Sequence, residues 1–175
     1  MASLKSTIVA AYTHLVRTKR TAFPAISDVL NEAGIARSTL YKHFDDRSAM
    51  LVESMRGPFS VLAAAAQTGE VTPGLIALLE HFWAERRGAA DLLASSSVDR
   101  LAKGLSAELG LRIRDLDRPG ALRIAQSQIS FLRLWVTGET PCSPVDMAAI
   151  LARSSSALVA ASGCGPYPQP NVENI

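Results

Sequence analysis

The sequence predicts an all-α protein in which a small N-terminal three-helix module is joined by a connecting helix to a larger helical domain. Hydrophobic residues make up 48% of the 175 residues but aromatic ones only 6%, and this balance favours helices because straight-chain side chains lose little rotamer freedom there. Apolar residues also recur at spacings of three to four. Ser, Thr and Pro mark several helix starts, and Gly marks several ends.

The first helix is predicted to begin after Ser3, which can cap it, and to end in the basic run RTKR. One face of this helix is apolar and is expected to be buried. Its members are Leu4, Ile8, Ala11, Tyr12 and Leu15.

A turn at Gly34 is predicted to separate two short helices, near residues 25–33 and 36–43. Glycine supplies the permissive backbone that a sharp turn needs. Ile35 should fill the corner, while Leu40 and Phe44 pack inward. The polar residues of the stretch ARSTLYKHF are then left on the outer surface of the second of these helices.

A fourth helix is predicted to connect the two parts of the chain. Asp45 or Asp46 can cap it, and Gly57 and Pro58 should kink it or end and restart it. The predicted division is an N-terminal module over residues 1–46, a larger domain over 47–165 and a tail over 166–175. The tail is too rich in Pro and Asn to predict regular structure.

The larger domain contains at least five further predicted helices. Thr72 as cap, Pro73 at the first position and Gly88 after a basic last turn indicate one helix, and the Ser143 cap, Pro144 and Gly163 repeat that pattern. The predicted ranges are 73–88, 89–97, 98–115, 119–137 and 144–162.

Composition argues against several classes of protein. We find no apolar run of about 18 to 20 residues and no secretion signal, so a cytoplasmic protein without a membrane partner is expected. Cys142 and Cys164 have no clustered Cys or His beside them, which predicts free thiols and no metal or cofactor. No phosphate loop, H-E-x-x-H pair or nucleophile elbow is present, so we predict that the protein is not an enzyme.

The charge is distributed unevenly along the chain. The net charge is +2, but residues 1–56 carry eight Lys or Arg against five Asp or Glu, while the rest carries ten against eleven. This modest N-terminal excess is compatible with nucleic-acid binding and also with an ordinary mixed-charge surface.

The surface that starts at Arg37 has the chemistry of a DNA-reading helix. In a helix-turn-helix the last helix enters the major groove. Arg37 can donate two hydrogen bonds to a guanine edge, and Ser38 and Thr39 are short enough for close approach. Tyr41, Lys42 and His43 can reach phosphates.

The stretch ISDVLNEAGIARSTLYKHFDDRSAML, residues 26–51, resembles the TetR family of transcriptional regulators. The Ala-Gly corner, the Thr-Leu-Tyr-x-His-Phe core and the cation three positions after Phe44 fall at the family spacing, and about residues 4–55 can be aligned. The resemblance implies a DNA-binding module followed by a helical ligand-binding and dimerisation domain. It implies a sequence-specific, ligand-responsive repressor that binds a palindromic operator on double-stranded DNA as a homodimer.

The resemblance also implies residue roles. Arg37 and Ser38 look like base readers, and Tyr41 lies close to a base or phosphate. Backbone contacts are implied for Thr39, Lys42, His43 and Arg47, and Ser27 matches a position that sometimes touches DNA. Two features depart from the family: Ala25 and Ala36 stand where Ser or Thr caps are usual, and Arg47 replaces the usual Lys.

In the C-terminal domain the resemblance is one of architecture alone. A pocket for a small-molecule effector is expected among the large apolar side chains Phe59, Leu79, Phe82, Trp83, Phe131 and Trp135. The last two helices are expected to form a four-helix dimer interface. Its predicted residues are Ala125, Ile129, Leu132, Val136, Met147, Ile150, Leu151, Ala157 and Leu158.

One alternative stays open from the sequence. The weak helix caps and small charge excess are also compatible with a helical ligand-binding or scaffold protein whose helix-turn-helix no longer binds DNA. Selection of genomic fragments by the purified protein would separate the two hypotheses.

Overall fold

The computed structural model describes residues 3–162, which form ten α-helices and no strand. The all-α prediction is confirmed. The predicted tail over 166–175, the end of the predicted larger domain and Cys164 lie outside the described residues. The helices are α1 Leu4–Lys19, α2 Ile26–Ala33, α3 Arg37–Tyr41, α4 Arg47–Ser54, α5 Arg56–Thr68, α6 Pro73–Ala84, α7 Arg86–Ala94, α8 Val98–Arg112, α9 Arg118–Val136 and α10 Pro144–Ser162.

Helix α1 is the scaffold of the N-terminal module and packs against α2 and α4. Ser3 caps it, because its hydroxyl accepts a hydrogen bond from the Ser6 backbone N–H. Ile8, Tyr12 and Leu15 are buried as predicted. The Tyr12 hydroxyl donates to the Ala22 carbonyl at 2.6 Å, which ties the α1–α2 corner to the middle of α1.

The turn between α2 and α3 forms at Gly34, as predicted. Gly34 has φ +66°, and the Ile35 N–H donates to the Leu30 carbonyl at 3.1 Å. Leu40 and Phe44 are buried behind α3. Helix α3 spans five residues rather than the predicted eight, because the N–H groups after Tyr41 bond to nearby carbonyls in turns.

The connecting helix breaks at Met55, two residues before the predicted Gly57. Met55 has φ −87° and ψ 3°, which ends α4 and starts α5 in a new direction. Pro58 lies in the first turn of α5, where its missing N–H removes no intrahelical hydrogen bond. The proline therefore fits the new helix, and the break falls ahead of it.

Helices α5 to α10 form the body of the molecule. Helix α5 packs against α8 and α10, and α9 packs against α7, α8 and α10. The predicted helix 73–88 starts as expected, with Thr72 accepting from the Leu75 N–H, but it ends at Ala84. Gly88 lies inside α7. The chain turns at Glu85 so that α7 can pack on α9, and this tertiary contact overrides the local stop signal.

Polar and close-packed contacts join the N-terminal module to the body. Asp46 caps α4 by accepting from the Ala49 N–H at 2.8 Å and also pairs with Arg100 of α8 at 2.8 Å. The Ser48 and Ser97 hydroxyls hydrogen-bond at 3.0 Å. The start of α4 is therefore held against the start of α8.

Helix α10 is unusually apolar. By length and composition alone it could cross a membrane, since its mean hydropathy is 1.2, and 28% of that stretch is buried. The expectation that no stretch reaches this length was too strong for α10. One such helix is weak support for a membrane span, because helices of soluble proteins pass the same test. Its buried side faces α5, α6 and α9.

Candidate nucleic-acid interface

The outer surface of α3 carries the polar residues that the sequence predicted there. Arg37 is the first residue of the helix, and its side chain and that of Ser38 are exposed. Thr39 is half-buried, and Tyr41 is 44% exposed. Lys42 and His43 follow the helix and are exposed. Six side chains able to hydrogen-bond thus surround a five-residue helix whose apolar residue faces the core.

Ser27 and Arg47 lie at the starts of the two neighbouring helices, and both are exposed. Arg47 approaches the α1–α2 corner. Burial raises the pKa of Tyr12 to about 12, and the positive charge of Arg47 opposes part of that rise. The charge of Arg47 therefore acts on Tyr12, whose hydroxyl holds Ala22, and α4 packs on α1.

The sequence predicted that α2 and α3 lack a side-chain cap, and the structure shows that both do. Ala25 and Ala36 have the extended backbone of an N-cap residue but make no side-chain hydrogen bond to their helices. A Ser or Thr cap is worth about 0.5–2 kcal/mol, so α2 and α3 depend on packing for their stability.

Three of the five carboxylates of residues 1–56 pair with a Lys or Arg. Lys19 Nζ lies 2.6 Å from Asp28 Oδ2. Glu53 accepts from both Lys5 at 3.0 Å and Arg56 at 2.8 Å. Asp46 is paired with Arg100 and, through the cap, with α4.

Five of the eight Lys and Arg residues of residues 1–56 make no ion pair or side-chain hydrogen bond within the described part of the chain. They are Arg17, Arg20, Arg37, Lys42 and Arg47. All five are exposed. The structure leaves the excess of three charges unchanged but shows which cations carry it, because it separates paired from unpaired ones.

Arg17 and Arg20 were not predicted as functional residues. The only signal available for them was the basic run RTKR, which also reads as ordinary cations at a helix C-terminus. The structure distinguishes them from their neighbour Lys19, which is bound to Asp28.

The predicted effector-pocket residues are packed into the body. Phe59, Leu79 and Trp135 are buried, and Phe82, Trp83 and Phe131 are half-buried. The Trp83 and Trp135 rings stack with centroids 5.0 Å apart. Trp135 Nε1 donates to the Cys142 carbonyl at 3.0 Å. The structure thus brings two of the six side chains into direct ring contact.

Phe59 contacts a different part of the body. A Cβ atom added to Gly104 of α8 would lie 2.9 Å from the Phe59 ring, so this ring lies directly on α8. Two of the surface concavities on the described chain lie away from these residues. One lies between α9 and α10 and one beside the start of α1, and none of the six predicted residues lines either of them. The effector pocket remains a prediction.

The structure places most of the predicted dimer residues inside the subunit. Their side chains face the other helices of the same chain, so they are not available on the surface of α9 or α10. The buried residues are Ala125, Ile129, Leu132, Val136, Met147 and Leu151. Ile150 is half-buried, while Ala157 and Leu158 are exposed. A dimer through these helices would have to use their opposite faces.

No protein-family model and no curated protein matches the chain. Among solved structures, the chain resembles one described as a TetR family transcriptional regulator from Vibrio parahaemolyticus. The two share 20% sequence identity over 89% of this chain and 86% of the other, with a TM-score of 0.35. At that score the two folds superpose only in part, so function has to be argued from the residues of this chain.

Proposed function

We propose that the protein is a sequence-specific DNA-binding transcriptional regulator that reads the major groove with α3. The observation that carries this proposal is the exposed, unpaired cation set around α3, formed by Arg37, Lys42 and Arg47. Of the neighbouring carboxylates, Asp28 and Glu53 are occupied by other cations, while Asp45 is exposed and makes no ion pair within the described residues. A duplex would supply the missing anions as phosphates.

The positions of the cations suit different parts of a duplex. Arg37 starts the helix and can present its planar guanidinium to the O6 and N7 atoms of a guanine. Lys42 and Arg47 lie beyond the other end of α3 and suit phosphates on the flank. The module therefore combines one candidate base reader with sequence-independent contacts.

Selection of genomic fragments by the purified protein, followed by titration against salt, tests this function. The wild-type protein should enrich an inverted repeat and lose affinity steeply as salt rises. Arg37→Ala should relax preference at one base position, costing about 1–3 kcal/mol there, while Lys42→Ala should weaken all sequences alike. If no fragment is enriched, the alternative of a scaffold protein with an inactive helix-turn-helix is favoured.

We further propose that two copies pair through the outer face of α10, with α9 beside it. The exposed side of α10 carries Val145, Ala157 and Leu158 at the surface, together with the charged residues Asp146 and Arg153. Leu158 also lines the concavity between α9 and α10 together with Ile124. Pairing identical chains buries such a face twice in a closed, symmetric contact.

A homodimer would present two copies of α3 to half-sites about 34–36 Å apart on a palindromic operator. Repression is the proposed mode, since a dimer on an operator blocks access by other proteins. A DNA-bound regulator acts where the genome is, so the proposed location is the cytoplasm. An effector that binds the body would control the regulator only by binding its two arrangements with different affinity.

A further inference from the structure

We propose that Arg20 contacts a DNA backbone phosphate and so extends the interface from the helix-turn-helix onto the α1–α2 corner. This inference rests on the proposed DNA-binding function. It concerns a residue outside the stretch from α2 to α4 on which that function is argued.

The corner that carries Arg20 is held next to two candidate phosphate contacts. The Lys19–Asp28 ion pair at 2.6 Å fixes the last turn of α1 beside the first turn of α2, which contains Ser27. The hydrogen bond from Tyr12 to Ala22 fixes the other side of the corner, and the charge of Arg47 acts on the same Tyr12. Arg20 therefore lies on the stretch of chain that joins these two fixed points.

The Arg20 backbone is in an unfavourable conformation. Its φ is 49° and its ψ 44°, in the left-handed region where a Cβ atom costs free energy and where glycine is the usual residue. Its N–H donates to the Val16 carbonyl, which terminates α1 in the way that a glycine normally does. Glycine would form this helix end with less strain.

The Arg20 side chain makes no ion pair or hydrogen bond among residues 3–162 that would offset this strain, and it is exposed. Left-handed backbone at a residue other than glycine is found more often at functional positions. A guanidinium held on this fixed corner, one residue from the Lys19 that occupies Asp28, has the chemistry to bind a phosphate with two hydrogen bonds.

The experiment compares Arg20→Gly with the wild-type protein on the enriched DNA fragment. The variant should bind on the order of fivefold to tenfold more weakly at 0.1 M salt, and the slope of log K against log salt should fall by about 0.9. Base preference should be unchanged. Its thermal midpoint should be equal to or above that of the wild type, because glycine relieves the left-handed strain.

Two further variants sharpen the comparison. Arg87→Ala removes one exposed cation from α7 in the body and should leave the salt slope unchanged. Arg20→Lys keeps the charge and should recover most of the slope.

Wild-type affinity and slope in Arg20→Gly would overturn the inference while leaving the DNA-binding function intact. A lower thermal midpoint with unchanged DNA binding would show that Arg20 serves the fold and would also overturn it. Failure of the wild-type protein to bind any fragment would remove both this inference and the proposed function.

Discussion

Tyr12 is fully buried in the N-terminal module, and its hydroxyl donates to the Ala22 carbonyl. This single side chain links α1 to the corner that leads into α2. A buried phenol must stay protonated, because an ionised one would lose both water and its role as donor. We therefore expect Tyr12 to make the module less stable at alkaline pH.

We expect the protein to lose stability between about pH 10 and pH 12. The pKa of Tyr12 rises from 10.0 to about 12 in the folded protein, so its contribution is complete below pH 10 and is lost as pH rises through 12. Two pKa units correspond to about 2–3 kcal/mol. Urea unfolding from pH 8 to pH 12 measures this loss of stability. Tyr12→Phe is the control that lacks this pH dependence. An equal decline in both proteins would contradict the prediction.

At the level of the helices, Gly104 decides how closely α8 approaches the connecting helices. A Cβ atom at this position would lie 2.8 Å from Val52 Cγ1 of α4 and 2.9 Å from the Phe59 ring of α5. Both distances are shorter than normal contacts. The absence of a side chain at Gly104 therefore allows α8 to pack on both sides of the break at Met55.

Gly104→Ala should destabilise the protein by about 1–3 kcal/mol, since α8 or the two side chains must shift. Gly110→Ala is a matched control on the same helix, where an added Cβ meets nothing within 4 Å. It should stabilise the protein by about 0.5–1 kcal/mol through helix propensity. Denaturant unfolding of both variants measures the difference, and equal stabilities would show that the α4–α8 contact is looser than described.

Local signals predicted the helices well where the signal acts within a few residues. Ser3, Thr72 and Asp46 cap the helices expected of them, and Gly34 forms the expected turn. The predicted helix bounds are wrong where contacts with a distant part of the chain determine where a helix ends. Gly88 lies inside a helix because α7 packs on α9, which no local pattern reveals.

The same limit applies to the candidate sites. The exposed polar surface of α3 follows from periodicity, because Leu40 and Phe44 define the inward side. The residues proposed for dimerisation, such as Ile129 and Met147, were apolar and in helical register, but periodicity cannot tell a face buried within one subunit from a face buried between two. Arg20 was missed because strain and ion pairing are visible only in three dimensions.

At the scale of the whole molecule, we expect the protein to be a dimer whose association depends on the exposed face of α10. Leu158→Glu places a charge in that face and should weaken association at least about tenfold, because an unpaired charge is costly to bury. Leu111→Glu is the control, since Leu111 is 85% exposed and lies at the end of α8 rather than on α10. Sedimentation equilibrium of the three proteins measures the effect. A Leu158→Glu dimer as tight as the wild type would place the interface elsewhere.

The carboxylate of Asp46 serves two helices at once, as the cap of α4 and as the ion-pair partner of Arg100 on α8. Arg47, the next residue, starts the helix that this carboxylate caps. Any movement of Arg100 away from Asp46 also affects the carboxylate that caps the first turn of α4. The body and the module that carries α3 thus share one carboxylate, and we expect a displacement of Arg100 to weaken the cap of the helix that Arg47 starts.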